Sequence, residues 1–158
     1  MPFDPKLQRK IMGHFATGVT VVTTGEGAAR TGLTANAVTS LSLDPPLVLV
    51  AVDNRSASRD DLKANKSFAI NLLTLEQEEV SKRFATPGPK DFSGIGWKTA
   101  LTGAPILEGC LGWVDCKLHE VLPGGDHEIF IGEIVAGECQ DGAAPLLYFA
   151  GKYRRLAE

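Results

Sequence analysis

Cysteine is scarce and badly spaced for either of its structural uses. The 158 residues hold three, Cys110, Cys116 and Cys139. The number is odd and no pair has Cys-x-x-Cys spacing, so neither a disulfide framework nor a thiolate metal clamp is expected. Free thiols point to a reducing cytoplasm. Histidine is as sparse. His119-Glu120 and His127-Glu128 both lack the second histidine of His-Glu-x-x-His, and no metal site is expected. Basic runs are missing, and 16 basic against 19 acidic residues give a net charge of −3, which argues against nucleic acid as the main partner. No apolar run approaches the roughly 20 residues of a membrane helix. Met1–His14 lacks an apolar segment and a small-residue cleavage site, so no secretory signal is expected. Neither a Gly-x-Ser-x-Gly elbow nor a Walker loop occurs. Gly25–Arg30, GEGAAR, starts like a Gly-x-Gly-x-x-Gly loop. Arg30 replaces the last glycine and a strand pattern follows, where a dinucleotide-binding βαβ unit requires a helix.

What is present is an ordinary globular composition, 44% hydrophobic and 22% charged, enough for one domain over residues 1–158 with a real core. Leu7, Ile11, Met12 and Phe15 have helical spacing within Pro2–Phe15. Thr17–Thr24 is β-branched and reads as a strand, joined by the Gly25–Gly27 turn to a second strand over Gly32–Leu43. Asp44-Pro45-Pro46 ends that strand, and Leu47–Val52 reads as a buried one. A helix follows, with Ser56 or Ser58 as its cap and Ser58-x-x-Asp61 as a capping box. Ser67–Leu73 is the next strand. Thr74-x-x-Gln77 opens a helix with Leu75, Val80 and Phe84 on one face. Asp91–Gly109 reads as a long, partly ordered loop. Leu111–Leu122 and His127–Glu138 form a hairpin around Pro123–Asp126, Pro145–Ala150 is the last strand, and Gly151–Glu158 is a basic tail. Strands outnumber helices and hairpins dominate, the pattern of a closed or nearly closed antiparallel barrel with helices attached.

The stretch Gly32–Leu43, GLTANAVTSLSL, organises the chemistry. Its alternation sets small apolar residues, among them Leu33, Ala35 and Ala37, on one face. Hydroxyls and an amide, including Thr34, Asn36 and Ser40, take the other. A half-polar wall suits a flat polar ring, although an ordinary strand with one solvated face has the same pattern. Asn54–Ser58 opens a helix whose free N–H groups, dipole and two serine hydroxyls suit an anion; simple capping accounts for only one of those serines. Lys82-Arg83-Phe84 offers a charge-assisted contact to the same anion, or a solvated helix face. His127, directly after Gly124-Gly125-Asp126, is either a rim ligand or a surface hairpin histidine.

FATGVTVVTT, GLTANAVTSLSLDPPLVLVAVD, NRSAS, SFAINLL, TGAPILEGCLGWVDC, GGDHEIFIGEIV and PLLYFAGKYRRL, in this order over almost the whole chain, resemble the short-chain flavin reductases, the reductase components of two-component flavin monooxygenases. The resemblance implies a mainly β fold with attached helices, a six-stranded antiparallel Greek-key split barrel that forms a homodimer. It implies FMN or FAD as flavin and NADH or NADPH as reductant, with reduced flavin passed to a separate monooxygenase. Thr34, Ala35, Asn36, Ala37, Val38 and Ser40 would then line the isoalloxazine. Asp53, Asn54, Ser56 and Ser58 would surround the ribityl phosphate, joined by Arg83 and Phe84. Asp126 and His127, in the Gly-Asp-His motif, and Tyr153 would meet the nicotinamide nucleotide. Hydride transfer is carried by the cofactors, so no catalytic side chain is expected. Ala150 departs from the basic residue many relatives carry there. A flavin-binding carrier or sensor on the same barrel is the alternative activity, and a barrel binding haem or a partner protein is a third class.

Overall fold

The computed structural model describes residues 1–157. Its elements run α1 (Pro5–Met12), β1 (Thr17–Gly18), β2 (Thr20–Thr24), β3 (Thr31–Ala35), β4 (Val38–Leu43), β5 (Pro46–Asp53), α2 (Ser58–Asn65), β6 (Ser67–Leu72), α3 (Glu78–Ala85), β7 (Trp97–Lys98), β8 (Ile106–Leu107), β9 (Gly112–Gly124), β10 (His127–Cys139), β11 (Leu147–Phe149) and β12 (Lys152–Arg154). The fold is mainly β and antiparallel throughout. One seven-stranded sheet has the order β3-β2-β6-β9-β10-β5-β4; β1, β11 and β12 form a three-stranded sheet, and β7 pairs with β8.

The strand expected over Gly32–Leu43 is two strands, at opposite edges of the large sheet. β3 pairs with β2 and β4 with β5. Only Asn36 and Ala37 join them, and two residues span at most about 10 Å, so the sheet curls until its edges nearly meet. Thr20 Oγ1 donates to the Ala35 carbonyl at 2.7 Å, and the Ala51 N–H donates to the Ala37 carbonyl at 3.0 Å, pinning the corner from both sides. The corner also shifts the alternation. Leu33 and Ala35 pack inward on β3, yet Val38, not Ala37 or Thr39, packs inward on β4.

The curled sheet encloses an inner core of Val22, Val48, Val50, Val52, Phe68, Ile70, Cys116 and Phe130, with Leu62 of α2 completing it. Each such side chain contributes about 1.5–3 kcal/mol on leaving water. β5 alternates rather than being buried on both faces: Val48, Val50 and Val52 are inside, while Leu49 and Ala51 are only half-buried. β2 is buried on both faces. Its outward Val21, with the neighbouring Val19, joins Leu73, Phe84, Phe92, Leu107, Cys110 and Leu146 in an outer core. The expected loop Asp91–Gly109 contains the β7–β8 pair, and Trp97 packs on this outer core. The tail also holds a strand, β12, paired with β11 through a turn where Ala150 takes φ of 51°.

Inside the sheet-to-loop layer the polar groups are paired. Asn71 Nδ2 donates to the Val21 carbonyl at 3.0 Å and its Oδ1 accepts the Leu107 N–H at 2.8 Å. The buried Asp115 carboxylate accepts the N–H groups of Leu101 and Thr102 at 2.8 and 2.9 Å and the Thr102 hydroxyl at 2.5 Å. Such pairing removes the penalty of burying polar atoms.

Candidate active site

The corner that breaks the long strand opens a cleft of about 690 Å³, within the range of small-molecule sites. Leu33–Ala37 form one wall, Ala51–Asp53 the end of β5, Ser56–Ser58 the start of α2, and Phe84 with Pro87, Gly88 and Lys90 the opposite side; His127 stands among the lining residues. Nine of the expected site residues therefore come together: Thr34, Ala35, Asn36, Ala37, Asp53, Ser56, Ser58, Phe84 and His127.

Several of them act differently from expectation. The Thr34 hydroxyl is engaged, donating to the Ser81 carbonyl of α3 at 2.6 Å. Neither Ser56 nor Ser58 caps α2. Its cap position is Ala57, without a side-chain hydrogen bond, and the capping box ending at Asp61 does not form. Ser58 is buried, and its hydroxyl instead reaches the Gly32 carbonyl at 3.4 Å, joining α2 to β3. The second capping signal does form: Gln77 Oε1 accepts the Thr74 N–H at 2.9 Å.

Asp53 is tied to Arg55, accepting its main-chain N–H at 2.8 Å, its Nε at 3.2 Å and its Nη2 at 2.9 Å. These hydrogen bonds hold the Asp53 carboxyl well below the usual carboxylate range. Asn54 does not line the cleft. Its N–H donates to the Asp126 carbonyl at 2.9 Å, which fastens the β9–β10 turn beside β5. His127 is set across from Asp53 in the β5–β10 ladder, and its Nδ1 lies 2.6 Å from Asp126 Oδ1. An imidazole held this way through Nδ1 presents Nε2 outward.

Val38, Ser40, Arg83, Asp126 and Tyr153 also lie off the cleft lining. Val38 and Ser40 face an adjoining apolar cavity with Val48, Ile70 and Trp113. Tyr153 hydrogen-bonds Ser81 at 2.7 Å and lines a smaller cavity that shares Thr34, Ala35 and Asn36 with the cleft. Arg83 turns to the loop after α3, where its Nη1 donates to the Asp91 and Ser93 carbonyls at 3.3 and 2.6 Å. Lys82 pairs with Glu78 at 3.5 Å. Ala150, in its turn, donates its N–H to the Gly13 carbonyl at 2.8 Å and is no part of the cleft. The residues missed were Arg55's partnership and, above all, Lys90. Thr86-Pro87-Gly88-Pro89 reads locally as a helix stop, and nothing in it tells where the following lysine points.

The cleft has small side chains along one wall, backbone and amide donors at its corner and a helix opening at one end. It can take a flat conjugated ring with a polar tail, and it contains no nucleophile–base pair. No group of three or more His, Cys, Asp or Glu suited to a metal ion occurs among the described residues, and no described helix is long and apolar enough to cross a membrane.

Residues 12–157 match the family model described as flavin reductase like domain. The chain belongs to this flavin reductase-like family. It is 40% identical over 152 residues to a probable flavin reductase of Rhizobium meliloti (strain 1021), covering 96% of this chain and 49% of that protein. The chain thus spans about half the length of that relative. It is 38% identical over 152 residues to the flavin-dependent monooxygenase reductase subunit HsaB of Mycobacterium tuberculosis (strain CDC 1551 / Oshkosh), covering 95% of this chain and 81% of that one. Among solved structures, the Streptomyces globisporus NADH:FAD oxidoreductase SgcE6 in complex with NAD and FAD fragments superposes with a TM-score of 0.92 at 36% identity, covering 99% of this chain and 97% of that one. The flavin reductase-like fold therefore extends over the elements that build the cleft.

Proposed function

We propose that this chain is an NAD(P)H-dependent flavin reductase that delivers reduced flavin to a separate monooxygenase. The observation that carries the reading is the cleft itself, where the Thr34–Ala37 wall, the α2 opening and His127 converge in a member of the flavin reductase-like family. FMN or FAD fits the residues present: Ala35, Ala37 and Ala51 leave room for a flat ring, and the polar corner suits its edge. Flavin and nicotinamide supply the chemistry when bound, a hydride passing between them. The chain's own work is to bind, orient and shield. Thr34–Ala37 line the ring, with Val38 and Ser40 beyond them on the continuing strand. Asp53, Asn54, Ser56 and Ser58 shape the phosphate end, and Arg83 and Phe84 support it from α3. Asp126 holds His127 so that Nε2 meets the nicotinamide nucleotide, with Tyr153 closing the same side.

The same proposal takes residues 1–158 as one domain, working in the cytoplasm, where its three thiols stay reduced. The large sheet has seven strands rather than the expected six; the proposal takes β3 and β4 as two halves of one bent strand and on that count reads it as a six-stranded split barrel. It also takes the chain as a homodimer. Exposed Met12, Phe15 and Leu72 line a cavity that shares Asn36, Ala37 and Ala51 with the cleft, and Leu41 and Leu43 on β4 are exposed as well, Leu43 at 92%. Apolar exposure on this scale favours a protein partner.

The test is NADH and NADPH oxidation followed at 340 nm with FMN and with FAD. Turnover is expected, and His127→Ala is expected to impair use of the nucleotide while sparing flavin binding. Flavin binding without turnover in all four combinations would favour the carrier or sensor; no flavin binding would overturn the reading.

A further inference from the structure

The loop after α3 brings to the cleft a charge that its strands and helix ends do not. Four charged residues line the cleft: Asp53, Arg55, Asp61 and Lys90. Arg55 is committed to Asp53 by both its Nε and Nη2. Lys90 has no carboxylate partner among the described residues; its Nζ donates to the neutral Thr86 carbonyl. It is half-buried, and loss of surrounding water pulls its pKa below the ordinary lysine value. A partly dehydrated ammonium with only a neutral acceptor keeps a strong attraction for an anion.

The loop is also built to hold that ammonium in place. Pro87 and Pro89 restrict the backbone on either side of Gly88, which takes φ of 100°. Arg83 donates to the Asp91 and Ser93 carbonyls. Asp91 Oδ1 accepts the Ser93 N–H at 2.9 Å and its hydroxyl at 2.6 Å. Phe92, two residues past Lys90, is buried edge-on to Phe84 at 5.0 Å. A cation fixed before the ligand arrives loses less entropy on binding.

We infer that Lys90 selects phosphorylated ligands for this cleft, its ammonium pairing with a phosphate of the flavin or of the nicotinamide nucleotide. The inference rests on the flavin reductase reading and adds to it a specificity-determining residue. Arg83 is then a positioning residue, acting through the loop.

The experiment compares FMN with riboflavin, which lacks the phosphate, by fluorescence titration of wild type, Lys90→Gln and Lys90→Arg, and measures NADH kinetics on each. Wild type is expected to bind FMN more tightly than riboflavin. Lys90→Gln should weaken FMN by about ten- to hundredfold, the scale of one hydrogen bond to a charged group, and leave riboflavin unchanged, with Lys90→Arg largely restoring FMN. Added potassium chloride should weaken FMN more than riboflavin on wild type, a readout that needs no variant. If the phosphate is the nucleotide's, flavin titrations stay unchanged and KM for NADH rises by a similar factor in Lys90→Gln, which upholds Lys90 and assigns the source. Unchanged FMN affinity and unchanged KM in folded Lys90→Gln would overturn the inference and leave the flavin reductase reading standing. Wild type that binds neither flavin would overturn both.

Discussion

The inner core draws on residues that alternate along their strands: Val48, Val50 and Val52 on β5, Phe68 and Ile70 on β6. The outer core draws on residues from scattered places: Val19 and Val21 before and within β2, Leu73 after β6, Phe84 on α3, Phe92 and Leu107 from the long loop, and Leu146 near the C-terminus. One is a periodic pattern folded on itself. The other is an assembly of single anchors, most of which end a strand, a helix or a loop. The cleft lies where they meet, with Leu33 and Val52 from the inner side and Phe84 from the outer. Both cores contribute stability, and the outer core in addition anchors α3 and the loop after it, which supply one side of the cleft.

Truncating a ring in each core separates these roles. Phe130→Ala, in the fully buried inner core, is expected to cost about 3–5 kcal/mol, seen as a lower denaturation midpoint in urea. Phe92→Ala removes a ring that is 5% exposed from a looser setting. It should cost about 3 kcal/mol and, unlike Phe130→Ala, abolish the preference for FMN over riboflavin by freeing the Lys90 loop. Equal preference before and after the Phe92 change would separate the outer core from the cleft.

Gly32 tests the seam. A β-carbon there would lie 2.8 Å from the Val22 carbonyl oxygen and 3.1 Å from the Phe84 ring, so Gly32→Ala must push β3 away from α3. A loss of about 1–3 kcal/mol is expected, measurable in the same urea series. An unchanged midpoint would mean that β3 and α3 are not tightly packed.

A smaller effect distinguishes the two serines. Ser58→Ala removes a buried hydroxyl that joins α2 to β3, for about 1 kcal/mol of stability. Ser56→Ala, on the half-exposed rim of the cleft, should leave the midpoint unchanged and weaken flavin binding. The reverse pattern would reassign their roles.

The two buried thiols, Cys110 and Cys116, mark the cores in alkali. Burial pushes Cys116 up to about 12, with Asp115 adding to it. Burial likewise pushes Cys110 up to about 11, partly offset by the hydrogen bond from Gln77. An unfolded thiol ionises near pH 9, so above that pH the unfolded chain loses protons first. Stability contributed by these groups is intact below pH 9 and falls as pH rises toward 12. Urea midpoints at pH 7, 9 and 10.5 should decline, and Cys116→Ala and Cys110→Ala should each flatten that decline by a similar amount, because both folded thiols keep their protons over this range. A decline as steep in either variant as in wild type would mean that the replaced sulfur is not kept protonated by burial.

Much of this architecture is legible residue by residue. β-Branched runs and turn residues mark β2, β5, β6 and the β9–β10 hairpin because strand formation and tight turns depend on neighbours within a few positions. The order of sequence blocks also points to the family and to the cleft's strand wall. The corner at Asn36–Ala37 escapes such reading: an alternating pattern runs through it, and only the need to cross between sheet edges breaks it. The failed caps at Ser56 and Ser58 have the same origin, since a hydroxyl near a helix start has several acceptors and tertiary packing chooses among them.

By itself the sequence determined most of the longer strands and the helices, the β9–β10 hairpin and the family they compose; the first two follow from local conformational preference and side-chain periodicity, the last from the order of the sequence blocks. Only the tertiary structure decided that Arg83 braces a loop instead of facing the cleft, that Lys90 turns toward it, and that Asn54 ties down the turn before His127. Those outcomes depend on distances between residues far apart in the chain, which are set only when the two cores pack and leave each polar side chain the partners that remain within reach.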